Sequence, residues 1–226
     1  MPPRRRRLDR VTGTLSPTPR STLGRLRERG ATDRAALYDV LDHGLVCHLA
    51  LVRDGAPVVL PTGYGRIGDT LYVHGSSGAR WLREGGVPVC ATVTHLDGIV
   101  YARSVFHFSM NYRSAVAHGT ARLVTEEPER TAALRAIVEH LAPGSWDHTR
   151  TPNRRELAAT AVLALDLDEA SVKIRTGPPG DEPADISPEV WAGVVPLTTT
   201  FGTPEPDAHV PADAPVPPHV LTREAR

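Results

Sequence analysis

The 226-residue chain has the length of one domain with tails, and 40% of its residues are hydrophobic, enough for a core of ordinary size. No apolar run approaches the roughly 20 residues that cross a bilayer, and no apolar segment follows the basic start, so neither a membrane span nor a secretory signal is predicted. Two cysteines, Cys47 and Cys90, are too few for a disulfide framework. We interpret both as reduced core thiols and expect a cytoplasmic protein.

Charge is balanced overall but unevenly distributed along the chain. Residues 1–30 have a net charge of +7 and residues 179–226 a net charge of −6, whereas the segment between them is near neutral. A near-neutral folded region argues against a nucleic-acid-binding face. We predict a flexible basic arm over 1–30, a folded domain over 31–178, and a Pro- and acid-rich extension over 179–226 that packs on the domain.

The folded domain is predicted to begin with a helix and three strands. Thr32 is the expected helix cap and Gly44 the expected stop. Leu45–Val52 and Pro57–Tyr64 then form a hairpin around an Asp-Gly turn, and Thr70–His74 forms the third strand. These elements place short antiparallel strands at the start of the domain.

The second half of the domain continues the same pattern after a short helical segment over Ser77–Glu84. An Asp97-Gly98 turn is predicted to join a fourth strand, Val87–His95, to a fifth strand, Ile99–Phe106. The remaining predicted elements are a strand over Ala115–Val124, a helix over Pro128–Leu141, and two strands over Ala161–Leu167 and Val172–Ile174. This series predicts a mainly β fold, a small antiparallel β-barrel with helical additions.

A first candidate site lies where the third strand meets the short helix, from His74 to Arg80. Small residues there let the backbone approach a ligand, and the helix start offers N–H groups to an anion. Arg80 adds a forked positive charge suited to phosphate. The alternative is an ordinary strand-to-helix turn that is capped by Ser76 or Ser77.

A second candidate site is the segment Ser109–Ser114, predicted to lie between the fifth and sixth strands. Arg113 and Ser114 can both reach a phosphate, and Tyr112 can pack on a ring. The alternative is a polar loop between strands. Two anion-ready segments in one small domain favour a phosphorylated ligand.

Histidines and cysteines elsewhere do not follow a common zinc spacing, so no metal site is predicted. The residues considered were His43, Cys47, His48, Cys90 and His95. His74 and His107 face either a ligand or solvent, since a strand alternates its side chains between two faces. No Walker loop, nucleophile elbow or dinucleotide fingerprint is present.

Three segments carry a family resemblance when taken together. They are the run from Val89 to Ser114, the run Leu-Tyr-Val-His-Gly-Ser-Ser-Gly-Ala-Arg at 71–80, and Val-Trp-Ala-Gly-Val-Val-Pro at 190–196. Together they resemble the pyridoxamine 5′-phosphate oxidase-related, FMN-binding split-barrel proteins, and more narrowly the branch that includes the nitroimidazole-resistance reductases. The resemblance implies a six-stranded antiparallel split β-barrel and a homodimer with FMN at the subunit interface.

The resemblance also implies roles for particular residues. It assigns the cofactor phosphate to residues of both candidate sites: Ser76, Ser77, Arg80, Arg113 and Ser114. Thr62, Gly63 and Tyr64 would line the edge of the isoalloxazine ring, and His74 would lie near the flavin or its substrate. The chain ends without the Arg-Leu-x-Pro segment of true pyridoxamine phosphate oxidases, so oxidation of vitamin B6 is not carried over.

Two functions follow from this resemblance. The first is an FMN-dependent oxidoreductase that acts on a small molecule such as a nitro compound, with His74 as candidate catalytic residue and NAD(P)H as reductant from solution. The second is a binding module that holds FMN or haem without turnover, with His74 or His107 as axial ligand of the haem. Neither function involves a nucleic acid or a membrane.

Overall fold

The computed structural model describes residues 13–15, 17–79, 81–82, 85–211 and 213–222. The ten strands within these ranges are β1 Gly30–Ala31, β2 Cys47–Arg53, β3 Ala56–Thr62, β4 Tyr64–Ile67, β5 Thr70–Ser76, β6 Val87–Tyr101, β7 Ser109–Leu123, β8 Thr160–Asp166, β9 Glu169–Arg175 and β10 Gly193–Pro196. The α-helices within them are α1 Arg34–His43, α2 Glu127–Leu141, α3 Arg154–Ala159 and α4 Pro218–Leu221.

All ten strands join one antiparallel sheet, so the predicted mainly β, antiparallel class is confirmed. The main order is β3-β2-β6-β7-β8-β5-β4, with β9 between β7 and β1 and with β10 added to β6. The expected count of six strands is too low. The order also ends at β3 and β4 without pairing them, so the hydrogen bonds do not describe a closed six-stranded barrel.

The largest difference from the sequence prediction concerns β6 and β7. Asp97-Gly98 is a bulge inside one continuous strand, where the register shifts between Leu96 and Gly98, and not the turn of a hairpin. The Asp97 carboxylate binds Arg113 on β7, and the Asp97 carbonyl accepts from the amide of Leu197 beyond β10. These long-range contacts hold the extra residue within the strand.

The segment Ser109–Ser114 also differs from its prediction as a loop. It forms the first part of β7, where Ile99 pairs with Met110 and Tyr112 pairs with Arg175 of β9. The turn that connects β6 and β7 lies earlier, in a short 3-10 helix over Val105–His107. The second candidate site is therefore a rigid strand segment.

Several element boundaries also move. Asp33, not Thr32, caps α1, because its side chain accepts from the amide of Ala35 at 2.9 Å. The predicted strand Pro57–Tyr64 is split at Gly63 into β3 and β4. The elements β1, β10, α3 and α4 have no counterpart in the prediction.

Two apolar clusters lie on opposite faces of β5. Leu71 and Val73 belong to the main core, whereas Tyr72 belongs to a second cluster under α2. Because α2 covers the outer face, three consecutive residues of β5 are buried instead of alternating with solvent. The backbone of β4 approaches α2 at Gly65, where a Cβ atom would lie 2.5 Å from the carbonyl carbon of Ala136.

Glu129 on α2 links this helix to the sheet. Its carboxylate accepts from the hydroxyl of Tyr72 at 2.9 Å and from Arg122 at 3.0 Å. The hydrogen bond from Arg122 holds the pKa of Glu129 below its ordinary value. Because the pKa of Glu129 is lower in the folded than in the unfolded protein, its contacts stabilise the fold fully at a pH above the ordinary carboxyl range. This contribution is lost as the pH falls to the pKa that Glu129 has in the folded protein.

We expect the stability lost by the wild type between about pH 5 and pH 3 to be smaller in the Glu129→Gln variant. The measurement is urea unfolding across that pH range. Glu127→Gln changes an exposed carboxylate in the same helical turn and is the matched control. Identical pH profiles of wild type and Glu129→Gln would contradict the role of this contact.

Residues 17–30, which the sequence assigns to a flexible arm, contact the sheet. Arg20 pairs with Glu169 of β9, whose carboxylate also accepts from Thr18. Residues 13–15 lie nearby, since Thr14 bridges to Asp33. The arginine run near the start lies outside the described residues.

The C-terminal extension returns to the sheet through β10, which pairs with β6 over Gly193–Pro196. Before β10, Arg103 donates to the carboxylate of Asp181 from its backbone amide at 3.0 Å and from its guanidinium at 2.9 Å.

The described helices include none that is both long and apolar enough to cross a membrane.

Candidate functional site

The end of β5 holds the first candidate site. His74 and Ser76 are exposed and Ser77 is half-buried, while Arg80 lies outside the described residues. The amide of Ser77 donates to Ala159, and the amides of Gly78 and Ala79 donate to the side chain and the carbonyl of Ser76. These three amides already have acceptors within the chain, so an anion at this turn would have to displace those contacts to use them.

Of the predicted ring-edge residues, Tyr64 begins β4 and pairs with Val73, the residue before His74 on β5. The Thr62 hydroxyl donates to the carbonyl of Gly63 at 3.1 Å. Tyr64 is fully buried, and its hydroxyl donates to the carbonyls of Leu41 at 2.5 Å and Gly44 at 3.1 Å. Within one chain, Tyr64 therefore connects α1 to the sheet from inside the core.

We expect Tyr64→Phe to lower the free energy of unfolding by about 1–2 kcal/mol, because the buried carbonyl of Leu41 loses its hydroxyl donor, whereas the carbonyl of Gly44 still has His140 Nε2 at 2.5 Å. The ring remains, so any flavin spectrum of the purified protein should be unchanged. Tyr101→Phe, at a more exposed tyrosine, is the control for loss of a hydroxyl. A changed spectrum with unchanged stability would favour the predicted contact between Tyr64 and a flavin.

Tyr112, Arg113 and Ser114 follow one another on β7. Arg113 donates to Asp97 from Nη2 at 3.0 Å and from Nε at 3.1 Å, and its Nη1 lies 3.5 Å from Asp39 of α1. The hydrogen bond to Asp97 raises the pKa of Arg113. The Ser114 hydroxyl donates to the carbonyl of Lys173 at 3.3 Å. An anion at Arg113 would have to compete with two carboxylates.

The structure divides the predicted residues into two groups. Tyr64, after Thr62 and Gly63, pairs with the residue before His74, while Ser76 ends β5 and Ser77 follows it. In contrast, β8 separates β5 from β7 and pairs with β7 at Arg122 and Leu123, far along the strand from Arg113. Among the described residues, one chain therefore does not bring Ser76 and Ser77 into contact with Arg113 and Ser114.

A groove that the sequence did not indicate lies at the end of β9. It has a volume of about 720 Å³, and its lining comes from three places: Arg25, Leu26, Glu28 and Arg29; the segment 106–109; and the residues around Arg175. We call it the Arg175 groove. His107, a candidate haem ligand, lies in its wall. The position of Arg175 at the end of an apolar strand could have indicated a buried charge. Arg29 gave no such indication, because it lies in the segment that the sequence analysis interprets as a flexible arm.

A smaller cleft of about 340 Å³ lies at the C-terminal end of α1 and includes Arg113 in its wall. Three histidines also line it: His43, His48 and His95. His95 Nε2 lies 2.9 Å from the carbonyl of Val40, and His43 Nδ1 lies 3.2 Å from the carboxylate of Asp39. These contacts tie two of the three rings to α1.

The antiparallel sheet and its two long central strands define a β-rich class of protein. The family model described as pyridoxamine 5′-phosphate oxidase matches residues 33–174, which is more than half of the chain. This chain belongs to the pyridoxamine 5′-phosphate oxidase family, and the resemblance inferred from the sequence is confirmed. No curated protein matches the sequence.

Similar structures extend the likeness beyond the segment that the family model matches. Flavocytochrome Anf3 from Azotobacter vinelandii is 37% identical, with a TM-score of 0.86, over 92% of this chain and 97% of that one. The FAD and haem binding protein from Mycobacterium smegmatis is 44% identical, with a TM-score of 0.81, over 85% of this chain and 96% of that one. A proposed 5-nitroimidazole antibiotic resistance protein from Bacteroides thetaiotaomicron shares the fold. It is 20% identical, with a TM-score of 0.53, over 64% of this chain and 86% of that one.

Proposed function

We propose that this chain is a flavin-binding redox protein of the cytoplasm that acts on a small molecule. The observation that carries the proposal is the likeness, over most of both chains and at 37% and 44% identity, to a flavocytochrome and to an FAD and haem binding protein. Oxidation of vitamin B6 is not part of the proposal.

The described residues fit a flavin by their chemistry. Ser76 and Ser77 offer hydroxyl groups for a phosphate, and Thr62 and Gly63, directly before β4, are the residues proposed for the edge of the ring. Exposed aromatic side chains, Phe106 among them, supply apolar surface for a planar group. When bound, a flavin would supply hydride or electron transfer, while the protein positions it and tunes its electrostatics.

The flavin that the sequence favours is FMN, whereas the name of the 44% identical relative specifies FAD. We propose FMN as the first candidate, with its phosphate held by Ser76, Ser77 and Arg80. Because Ser76 and Ser77 lie on a different part of the sheet from Arg113 within one chain, we propose a homodimer in which Tyr112, Arg113 and Ser114 of the second copy complete the site. NAD(P)H is the proposed reductant, and His74 is the candidate that would touch substrate.

Haem binding is a second candidate function, and the names of both similar structures, a flavocytochrome and an FAD and haem binding protein, favour it. An axial ligand needs an accessible imidazole. His74 is exposed on β5, and His107 lies half-buried in the wall of the Arg175 groove. These two histidines are the candidates already indicated by the sequence.

The test is an absorption spectrum of the freshly purified protein, followed by denaturation and mass analysis of what is released. Flavin bands with release of FMN support the first candidate, and release of FAD transfers the same site to the larger cofactor. A Soret band that is lost in His74→Ala or His107→Ala adds haem and names its ligand. A colourless protein that neither flavin nor haem reconstitutes would overturn the proposal.

Substitutions at the two arginines test how the flavin phosphate is held. We expect Arg80→Ala to weaken flavin binding more than tenfold, because a charged hydrogen bond to phosphate contributes about 1.5–3 kcal/mol. Arg113→Ala should have the smaller effect, since Asp97 and Asp39 already neutralise that guanidinium. The measurement is fluorescence titration of the cofactor-free protein. Equal affinities in wild type and Arg80→Ala would remove Arg80 from the site.

A further inference from the structure

Arg175 is a buried arginine without a carboxylate partner among the described residues. Its side chain and backbone are 8% exposed, and its guanidinium donates to the Asn111 amide oxygen and to the carbonyls of Pro178, at 3.2 Å, and Gly177, at 3.4 Å. All three acceptors are neutral. The Nε atom is buried without a hydrogen-bond partner in the described part of the chain.

An uncompensated buried guanidinium is costly, because it has lost water without gaining an opposite charge. Burial lowers the pKa of Arg175, and the positive charge of Arg29 lowers it further. Other arginines among the described residues pair with carboxylates, the half-buried Arg103 with Asp181 and the exposed Arg20 with Glu169. Arg175 differs from them, so its charge needs another explanation than internal pairing.

The Arg175 groove surrounds this charge with further cations and with aromatic surface. Arg25 and Arg29 line it against one acidic residue, Glu28. Phe106 and Phe108 form part of its wall and remain 85% and 49% exposed. A groove of about 720 Å³ with arginines at its base and phenyl rings at its side suits a planar aromatic ligand that carries an acidic group.

We propose that the Arg175 groove is an anion-binding site, in which Arg29 and Arg175 hold the phosphate or carboxylate group of an aromatic ligand. That group has two sources, the phosphate of a flavin cofactor or a separate acidic substrate. The existence of the anion site does not depend on the proposed function. Only its occupation by a flavin phosphate rests on that function. The groove includes Ser109, the first residue of the second candidate site, and Arg175 pairs with Tyr112 of that site, but the groove includes none of the residues at the end of β5.

The experiment is isothermal titration of the full-length protein, as purified, with phenyl phosphate as the probe. We compare wild type, Arg29→Ala and Arg27→Ala, because Arg27 is an exposed arginine of the same 3-10 turn that does not line the groove. Flavin content per chain is measured for each variant by absorbance. Arg175→Lys keeps the positive charge but loses the forked guanidinium, so it tests whether the paired donor geometry of Arg175 matters for anion binding.

Two results support the site and distinguish the sources. Binding of phenyl phosphate that weakens at least tenfold in Arg29→Ala, and not in Arg27→Ala, indicates a separate acidic ligand. No binding to the flavin-loaded wild type, together with at least tenfold weaker flavin retention in Arg29→Ala than in Arg27→Ala, indicates that the flavin phosphate occupies the groove. In both cases Arg175→Lys should show an intermediate loss.

Phenyl phosphate affinity and flavin retention that are both unchanged in Arg29→Ala and Arg175→Lys would overturn the inference. This failure is distinguishable from failure of the proposed function. A protein that contains no flavin but binds phenyl phosphate through Arg29 keeps the anion site and loses the flavin. A flavin-containing protein indifferent to both substitutions keeps the flavin and loses the anion site.

Discussion

The Gly65→Ala variant should be destabilised by about 3 kcal/mol and should fold poorly at 37 °C. A Cβ atom at this position would lie 2.5 Å from the carbonyl carbon of Ala136 and 2.6 Å from the amide nitrogen of Ile137. Both are backbone atoms of α2, so no side chain can rotate away, and the helix must move as a body. Such a shift would open the second apolar cluster, in which Tyr72 and Ile137 pack together.

Urea unfolding of the purified variant measures this effect. Gly202→Ala is the control, since nothing lies within 4 Å of its Cβ position and its backbone is not in the left-handed region. An unfolding free energy of Gly65→Ala within about 0.5 kcal/mol of the wild type would show that α2 packs less closely on β4 than the structure describes. Because β4 pairs with β5, this packing also positions His74 and Ser76.

Strands were predictable from the sequence where an apolar pattern or a local turn determined where they begin and end. The Asp54-Gly55 turn between β2 and β3 has positive φ angles at both residues, 52° and 78°, as a tight hairpin requires. The same dipeptide at 97–98 forms a bulge instead, because Arg113 and the amide of Leu197 bind Asp97. A local pattern cannot include partners that lie 16 and 100 residues away in the sequence.

The candidate sites show the same limit. The third predicted strand was expected to end at His74, but β5 continues through Ser76, and the acceptor of the Ser77 amide is the carbonyl of Ala159, in a helix that the sequence did not indicate. Arg113 carries the forked charge that the sequence identified, yet Asp97 and Asp39 pair with it. The chemical type of each residue was readable, whereas its free bonding capacity depended on tertiary contacts.

The C-terminal extension should detach from the sheet when its buried ion pair is removed. The Asp181 side chain is 4% exposed and accepts from the backbone amide and the guanidinium of Arg103, whose Nε also donates to Ser187. Burial alone would raise the pKa of Asp181, but the hydrogen bonds from Arg103 outweigh it, so the pKa lies below its ordinary value. We therefore expect the extension to loosen as the pH falls below the ordinary range of an aspartate.

In the Asp181→Ala variant we expect amide hydrogen exchange over Gly193–Pro196 to accelerate roughly tenfold or more, because β10 is a four-residue edge strand that depends on this anchor. Asp185→Ala, at an exposed carboxylate of the same segment, should leave exchange unchanged. Equal exchange in all three proteins would show that β10 holds itself in place. Since Pro178 and Gly180 line the Arg175 groove directly before Asp181, a detached extension should also weaken phenyl phosphate binding there, which links the anchor to the proposed anion site.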